Sequence, residues 1–267
     1  MQQTLFSAKA PLLTNLPHIK HAFFGRKGGC SKGLFASLNT SLRVPDSPKA
    51  VLKNREIISK YFNLPPTKLL TFHQIHSNKI IFVKNNTNFK ESNIIKADGM
   101  VTNQSGIILG IVTADCLPIL FAHQTKPLIA AIHCGWQGLT NGIIGNVIHN
   151  FKTLGCKTED LIVAIGPCIH QESYEVDLTF YNNFLQLNNS YKKFFMALNN
   201  KKFLFNLPEC ATDILIKNNI LVKNINVLPY NTYKEEELFF SHRRATHKKE
   251  VSRGLQLSCI SLMENIV

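Results

Sequence analysis

Apolar residues along this chain switch repeatedly between a period of two and a period near 3.6. Ile19 to Gly25 reads as a strand running into a glycine turn at Gly28-Gly29, and Ser47 to Phe62 as a helix capped by Ser47 with Pro48 in its first turn. Leu69 to Phe72 and Lys79 to Val83 predict strands on either side of His73-Gln-Ile-His76. In the centre, Gly106 to Val112, Pro118 to Ala122 and Pro127 to Ile132 are short β-rich runs whose continuous apolarity predicts strands covered on both faces. Leu139 to Leu154 then takes the helical period, with Ile143, Ile144, Val147, Ile148 and Phe151 on one stripe. Leu161 to Ile165 returns as a strand, Asp177 to Leu187 and Glu209 to Asn218 read as helices, and Ile225 to Leu228, Glu237 to Ser241 and Leu255 to Leu262 as closing strands. The pattern is that of a mixed α/β protein whose sheets are shielded by helices. No solenoid-period repeat or low-complexity linker divides it, so residues 1–267 read as a single compact domain.

Composition narrows the function classes. With 45% hydrophobic and 18% charged residues the chain can bury a large core. No apolar stretch reaches the length of a membrane span, and Met1 to Thr14 has neither the basic start nor the apolar run of a secretory signal, so a cytoplasmic protein without membrane contact is expected. Seven widely spread cysteines with no C-x-x-C pair fit neither a disulfide scaffold nor a structural zinc ribbon. Lysine and arginine outnumber aspartate and glutamate by 30 to 17, a formal charge of +13, which favours anionic partners such as phosphate and nucleotides. Nucleic acid shares that preference, but no reading motif for it is recognised. The pairs Lys192-Lys193 and Lys201-Lys202 read as a solvated basic face.

Three segments place reactive side chains where a predicted strand has just ended: His73-Gln-Ile-His76, Thr113-Ala-Asp115-Cys116-Leu-Pro118 and Ile132-His133-Cys134-Gly135-Trp136-Gln137-Gly138. Imidazole and thiolate both suit zinc, and three protein ligands leave a fourth position for water or substrate. Spacing does not decide which of these groups converge. Taken alone, a cysteine after an apolar strand, as Cys116 is, is more often a small core residue than a ligand. His73 and His76, three apart, share a face if they lie on a helix, whereas in a strand they point to opposite faces and at most one serves a common site; Cys134 meets the same objection beside His133 and reads as packing. Asp115 reads either as the acceptor that orients an imidazole or as a turn residue.

The strings HQIH at His73, ADGMVT at Ala97, TADCLPI at Thr113, AIHCGWQG at Ala131 and IGPCI at Ile165 follow one another in order, framed by FFGRKGGCSKGLFASLN and ELFFSHRR. Together they resemble the multi-copper polyphenol oxidase, or laccase-like, family, also called the peptidoglycan editing factor family, over most of the chain. The resemblance implies a layered α/β/β/α-like fold and a catalytic metal held by His76, Cys116 and His133. It further implies purine nucleoside phosphorylase activity on adenosine, inosine, guanosine and S-methyl-5′-thioadenosine, with adenosine deaminase activity besides. Three positions depart from the family pattern: Gln137 replaces the arginine of W-R-G, Arg253 precedes Gly254 where G-R-Q is usual, and Asn231 replaces a cysteine before Thr232-Tyr233.

The residues can be set against each chemistry. A trinuclear copper cluster needs many clustered imidazoles, typically in H-x-H pairs, yet none of the ten histidines is two positions from another. Two histidines and a cysteine suit a blue-copper site, but nothing marks an axial methionine, so zinc is the expected metal and copper the alternative. The nucleoside deaminase signature of H-x-E followed by P-C-x-x-C is absent. Phosphorolysis needs an anion site and a slot for the base. Arg26, Arg43 and Asn39 lie around the glycine-rich loop, and a helix beginning near Leu139 is expected to aim its free N–H groups at an anion beside His133. Trp136 offers a stacking platform or a packing residue, and Arg243 and Arg244 complete the anion pocket or lie on an edge strand. Rival readings are a metal-free hydrolase with Cys116 as nucleophile and His133 as base, a copper-dependent polyphenol oxidase, and editing of peptidoglycan precursors.

Overall fold

The computed structural model describes residues 4–84 and 94–263. In chain order it forms β1 (Ser7–Ala8), α1 (Pro11–Thr14), β2 (Ile19–Phe24), α2 (Pro48–Tyr61), β3 (Leu69–Leu70), β4 (Ile80–Phe82), β5 (Gly99–Thr102), β6 (Ile108–Thr113), β7 (Leu117–His123) and β8 (Ile129–Cys134). There follow α3 (Trp136–Thr140), α4 (Ile143–Thr153), β9 (Leu161–Ile165), β10 (Glu175–Asp177), α5 (Leu178–Leu187), β11 (Phe195–Asn199), β12 (Lys202–Phe205), α6 (Leu207–Lys217), β13 (Ile225–Val227), α7 (His242–His247) and β14 (Gln256–Leu262). Five strands form one sheet in the order β1-β2-β14-β6-β3, six another in the order β13-β9-β7-β8-β5-β4, and β10-β12-β11 a small third.

Alternation along the strands sorts their side chains into separate layers. Leu109 and Ile111 of β6, Leu120 and Ala122 of β7, Ile129 and Ala131 of β8, and Ile260 and Leu262 of β14 meet in a core between the two large sheets. The opposite face of the six-stranded sheet, with Leu117, Ile119, Phe121, Ala130, Ile132 and Cys134, packs on Ile143, Ile144, Val147, Ile148 and Phe151 of α4 and on α6. Ala22, Phe24, Ile108, Leu257 and Cys259 on the outer face of the five-stranded sheet pack on Ile58 of α2. The order is therefore helix, sheet, sheet, helix, the α/β/β/α layering expected. It also explains why the central runs are apolar without alternation, since both faces of β7, β8 and β9 are buried.

Local chemistry overrides the hydrophobic pattern in three places. The run from Leu139 is not one helix: α3 begins at Trp136, and Gly142, with φ of +84°, breaks the run before α4. Glu237 to Ser241 is turn and irregular backbone, not a strand, and it leads into α7. There the Ser241 side chain accepts from the Arg244 N–H as an N-cap, and the Arg244 guanidinium donates to the carbonyls of Thr232, Tyr233 and Phe239. Arg243 and Arg244 consequently lie on a helix, not on an edge strand. The small sheet was hidden because β11 exposes apolar side chains, Met196 and Leu198 among them.

Candidate metal centre

β6 belongs to the five-stranded sheet and β7 to the six-stranded one, so the chain changes sheets at Ala114-Asp115-Cys116. The change turns on Asp115, whose φ is +91°. Its carboxylate accepts from the Thr232 hydroxyl at 2.7 Å and from the Arg243 backbone N–H at 2.6 Å, so Asp115 ties the crossover to α7, and among the described residues its carboxylate hydrogen-bonds to no imidazole. Beyond the crossover the pleat decides direction. Cys116 shares the parity of Leu120 and Ala122, and His133 that of Ile129 and Ala131, so both point between the sheets, with Pro118 paired to His133 across the β7–β8 ladder. Cys134 has the opposite parity; it is buried among the residues facing α4, and burial raises its thiol far above its ordinary range.

His76 reaches the same place from a loop. Residues 73–76 lie between β3 and β4, where His73 bridges to Lys96 and His76 has φ of +59°, a region rarely occupied by non-glycine residues. The turn is organised by Asp98, which is completely buried just before β5. Its two carboxylate oxygens accept from the backbone N–H groups of Ile75, His76 and Ser77, from the Ser77 hydroxyl, and from Nδ1 of His133 at 2.8 Å. Burial opposes ionisation of Asp98, but the hydrogen bonds from His133 and Ser77 outweigh it and bring the carboxyl down to about 2. Asp98 thus fixes one histidine through its ring and another through its backbone, the arrangement that orients metal-ligating imidazoles.

The donor atoms of His76, Cys116 and His133 all lie within 4.8 Å of one another. Sγ of Cys116 is 3.8 Å from Nε2 of His76, close to the roughly 3.5 Å separating two donors on one tetrahedral zinc. The two imidazole rings meet edge to face with centroids 4.7 Å apart. Gly135 leaves room for this grouping, because a Cβ there would lie 2.9 Å from Cδ2 of His76 and 3.0 Å from Sγ of Cys116. Burial works against the Cys116 thiolate, yet the charge and hydrogen bond of His133, helped by His76, bring the thiol down to about 6. Burial also works against the His133 imidazolium, and the charges of Cys116 and Asp98 raise it to about 9. A pre-ionised thiolate between two imidazoles fits a divalent or soft monovalent metal ion, with one position left over.

The centre opens into a cavity of about 630 Å³. Arg43, Arg55, Arg253, His242 and Gln74 supply its polar lining, and Leu42, Val44, Phe72, Val112 and Leu255 an apolar wall. Among the described residues no aspartate or glutamate lines it. Of the residues expected to bind substrate, only Arg43 is on its wall. Arg26 stacks on Phe240 at 4.7 Å and donates to the carbonyls of Ala36 and Glu236. The buried Asn39 amide ties the Ser41 and Leu255 backbone to Asp46. Trp136 packs on Phe180 and Phe184, the packing role rather than the platform. Arg243 donates to the Glu175 carbonyl and lies over Tyr174. Gln137 is exposed on α3 and does not line the cavity. Asn231 is held by Glu172 and Ser173. Sequence reasoning missed Asp98, Arg55 and Arg253 as site residues. ADGMVT was a visible signal for Asp98, whereas Arg55 sits in an ordinary amphipathic helix.

Known proteins share this arrangement of sheets. YlmD from Geobacillus stearothermophilus matches with a TM-score of 0.85 at 27% identity, covering 97% of this chain and 96% of its own. Neisseria meningitidis protein NMB0706 matches with a TM-score of 0.83 at 29% identity over 97% and 99%. A Haemophilus influenzae protein named purine nucleoside phosphorylase is 33% identical over 233 residues, which is 86% of this chain and 91% of that one. Bacillus subtilis YlmD, also named purine nucleoside phosphorylase, is 30% identical over 248 residues, 91% and 88% of the two chains. The family model described as multi-copper polyphenol oxidoreductase laccase matches residues 20–263, which include every residue of the centre, and the chain belongs to that family.

Proposed function

We propose that this chain is a metal-dependent purine nucleoside phosphorylase acting on adenosine, inosine, guanosine and S-methyl-5′-thioadenosine, with adenosine deamination at the same centre. One observation carries the reading: His76, Cys116 and His133, grouped closely enough to hold a metal ion, open into a nucleoside-sized cavity with three arginines and no acidic lining among the described residues. Relatives named purine nucleoside phosphorylase at 30% and 33% identity support it. The thiolate and two imidazoles favour zinc, with copper the alternative, and a bound metal supplies a Lewis acid or an activated water. The chain's own groups divide the remaining work. The apolar wall takes the flat base and excludes water from it. The arginines attract phosphate, whose oxygen forms the new bond to ribose C1′ as the bond to the base nitrogen breaks. Asp98 keeps the His133 ring turned so that Nε2 faces the centre.

The test is a metal-defined assay of the purified protein with each purine nucleoside and inorganic phosphate, following free base and ribose 1-phosphate, with uridine for comparison. Phosphate-dependent base release from purines and poor turnover of uridine are expected. Absence of phosphate-dependent cleavage refutes the phosphorylase reading. The paired shifts of Cys116 and His133 favour one other reading, a metal-free thiolate–imidazolium hydrolase. Full activity after removal of metal, lost on thiol alkylation at Cys116, would establish that reading instead.

A further inference from the structure

Hydrogen-bond accounting removes most of the arginines that sequence reasoning offers for phosphate. Arg26, Arg243 and Arg244 all donate to backbone carbonyls, and none of them lines the large cavity. Arg253, three residues before β14, is placed differently. It lines both the large cavity and a second, smaller one of about 140 Å³ that is bordered by Arg26, Arg244, Glu236 and Glu250. Its Nε is buried and, among the described residues, has no hydrogen-bond partner. Burial depresses the guanidinium, while the negative charges of Asp115 and Cys116 act on it in the opposite sense, which sets Arg253 within electrostatic reach of the metal ligands. A buried guanidinium N–H without an acceptor is uncommon and costly, and an oxyanion is the acceptor that matches its fork.

Arg55 reaches the same cavity from α2. Its Nε donates to the Thr40 carbonyl at 2.8 Å, which fixes the direction of the guanidinium. Burial holds it down to about 10, still a cation at neutral pH. Two guanidinium groups from distant parts of the chain therefore border one cavity that the described residues leave without a carboxylate.

We propose that Arg253, supported by Arg55, is the phosphate-binding residue of this cavity and determines that phosphate is the co-substrate. The inference deepens the phosphorylase reading and rests on it for its catalytic meaning, while the binding of phosphate can be measured without turnover. Inorganic phosphate is titrated into the protein as purified, with its metal content measured, by calorimetry and by thermal shift. Arg253→Gln is expected to raise the phosphate Kd about ten- to a hundredfold, and phosphate KM by the same factor, with metal content and inosine affinity unchanged. Arg253→Lys keeps the charge but loses the fork and the Nε donor, so a smaller rise is expected. Lys249→Gln, the loss of an exposed charge just past the C-terminus of α7 that lines neither cavity, should change neither constant.

Wild-type protein that binds no phosphate, or an Arg253→Gln protein that binds it as tightly as wild type, overturns the proposal. If Arg253→Gln does not fold, Arg253→Lys decides, and undiminished phosphate affinity in that variant overturns it equally. Phosphate binding that depends on Arg253 without cleavage of any nucleoside leaves the subsite standing and removes the phosphorylase reading instead.

Discussion

Replacing Asp98 by asparagine preserves the shape of the side chain and removes what the centre uses. Oδ1 accepts from His133 Nδ1 at 2.8 Å and the His76 N–H at 2.9 Å, while Oδ2 accepts from the Ser77 N–H and hydroxyl, each at 2.7 Å. An asparagine has one oxygen, so whichever way it turns its NH₂ group meets donors. The Ser77 hydroxyl can rotate to accept, but the Ser77 backbone N–H cannot, and one buried donor without a partner costs about 1–3 kcal/mol. The charge adds to this. The Asp98 carboxyl is brought from an ordinary 3.8 to about 2, which corresponds to about 2 kcal/mol of stability at neutral pH. Because the folded-state value is the lower one, that contribution is present above pH 4 and is lost as the pH falls toward 2. Asp98→Asn should therefore cost about 3–5 kcal/mol and flatten the acid limb of the stability profile. It should also weaken metal binding by about ten- to a hundredfold, since His133 loses its orienting carboxylate and His76 its turn. Denaturant unfolding between pH 2 and 7 and metal titration measure the two effects. An Asp98→Asn protein with wild-type stability and wild-type metal affinity refutes the assignment.

Cys116→Ser replaces a readily ionised thiol by a hydroxyl that stays protonated at neutral pH; metal content and phosphorolysis should disappear together while a cooperative thermal transition survives, and full metal with full turnover would contradict the ligand role. Gly135→Ala places a methyl group 2.9 Å from the His76 ring and 3.0 Å from the Cys116 sulfur, so metal affinity should fall at least about tenfold, whereas Gly145→Ala in α4, where a Cβ meets nothing within 4 Å, should stabilise by about 0.5–1 kcal/mol. Gln137→Arg restores the family's arginine on an exposed face outside the cavity, and the phosphate KM should not change; a fall of tenfold would place that side chain over the cavity mouth.

What the sequence discloses about this molecule follows the reach of each physical signal. Periodicity is local, and it locates β2, α2, the strands β6 to β9 and β14 because each buries a face or both faces that a short window contains. It fails at Glu237 to Ser241, where the chain leads into α7, whose Arg243 N–H donates to Asp115 and whose Arg244 side chain donates to the Thr232 carbonyl, partners that no short window contains. The same limit governs the centre. Nothing in the spacing of His76, Cys116 and His133 brings them together, and the family motifs supply that grouping. The pleat nevertheless contains half the answer in local form: once β7 and β8 are adjacent antiparallel strands, Cys116 and His133 must share the inter-sheet face and Cys134 must leave it. His76 is beyond any such rule, because a left-handed residue in a turn has no periodicity, and its position is set by a carboxylate over twenty residues away. The arginines mark the farthest point. Arg26 and Arg253 are alike as letters in a basic chain, and only the count of carbonyls around each guanidinium separates a clamp on the backbone from a cation with an N–H still to satisfy.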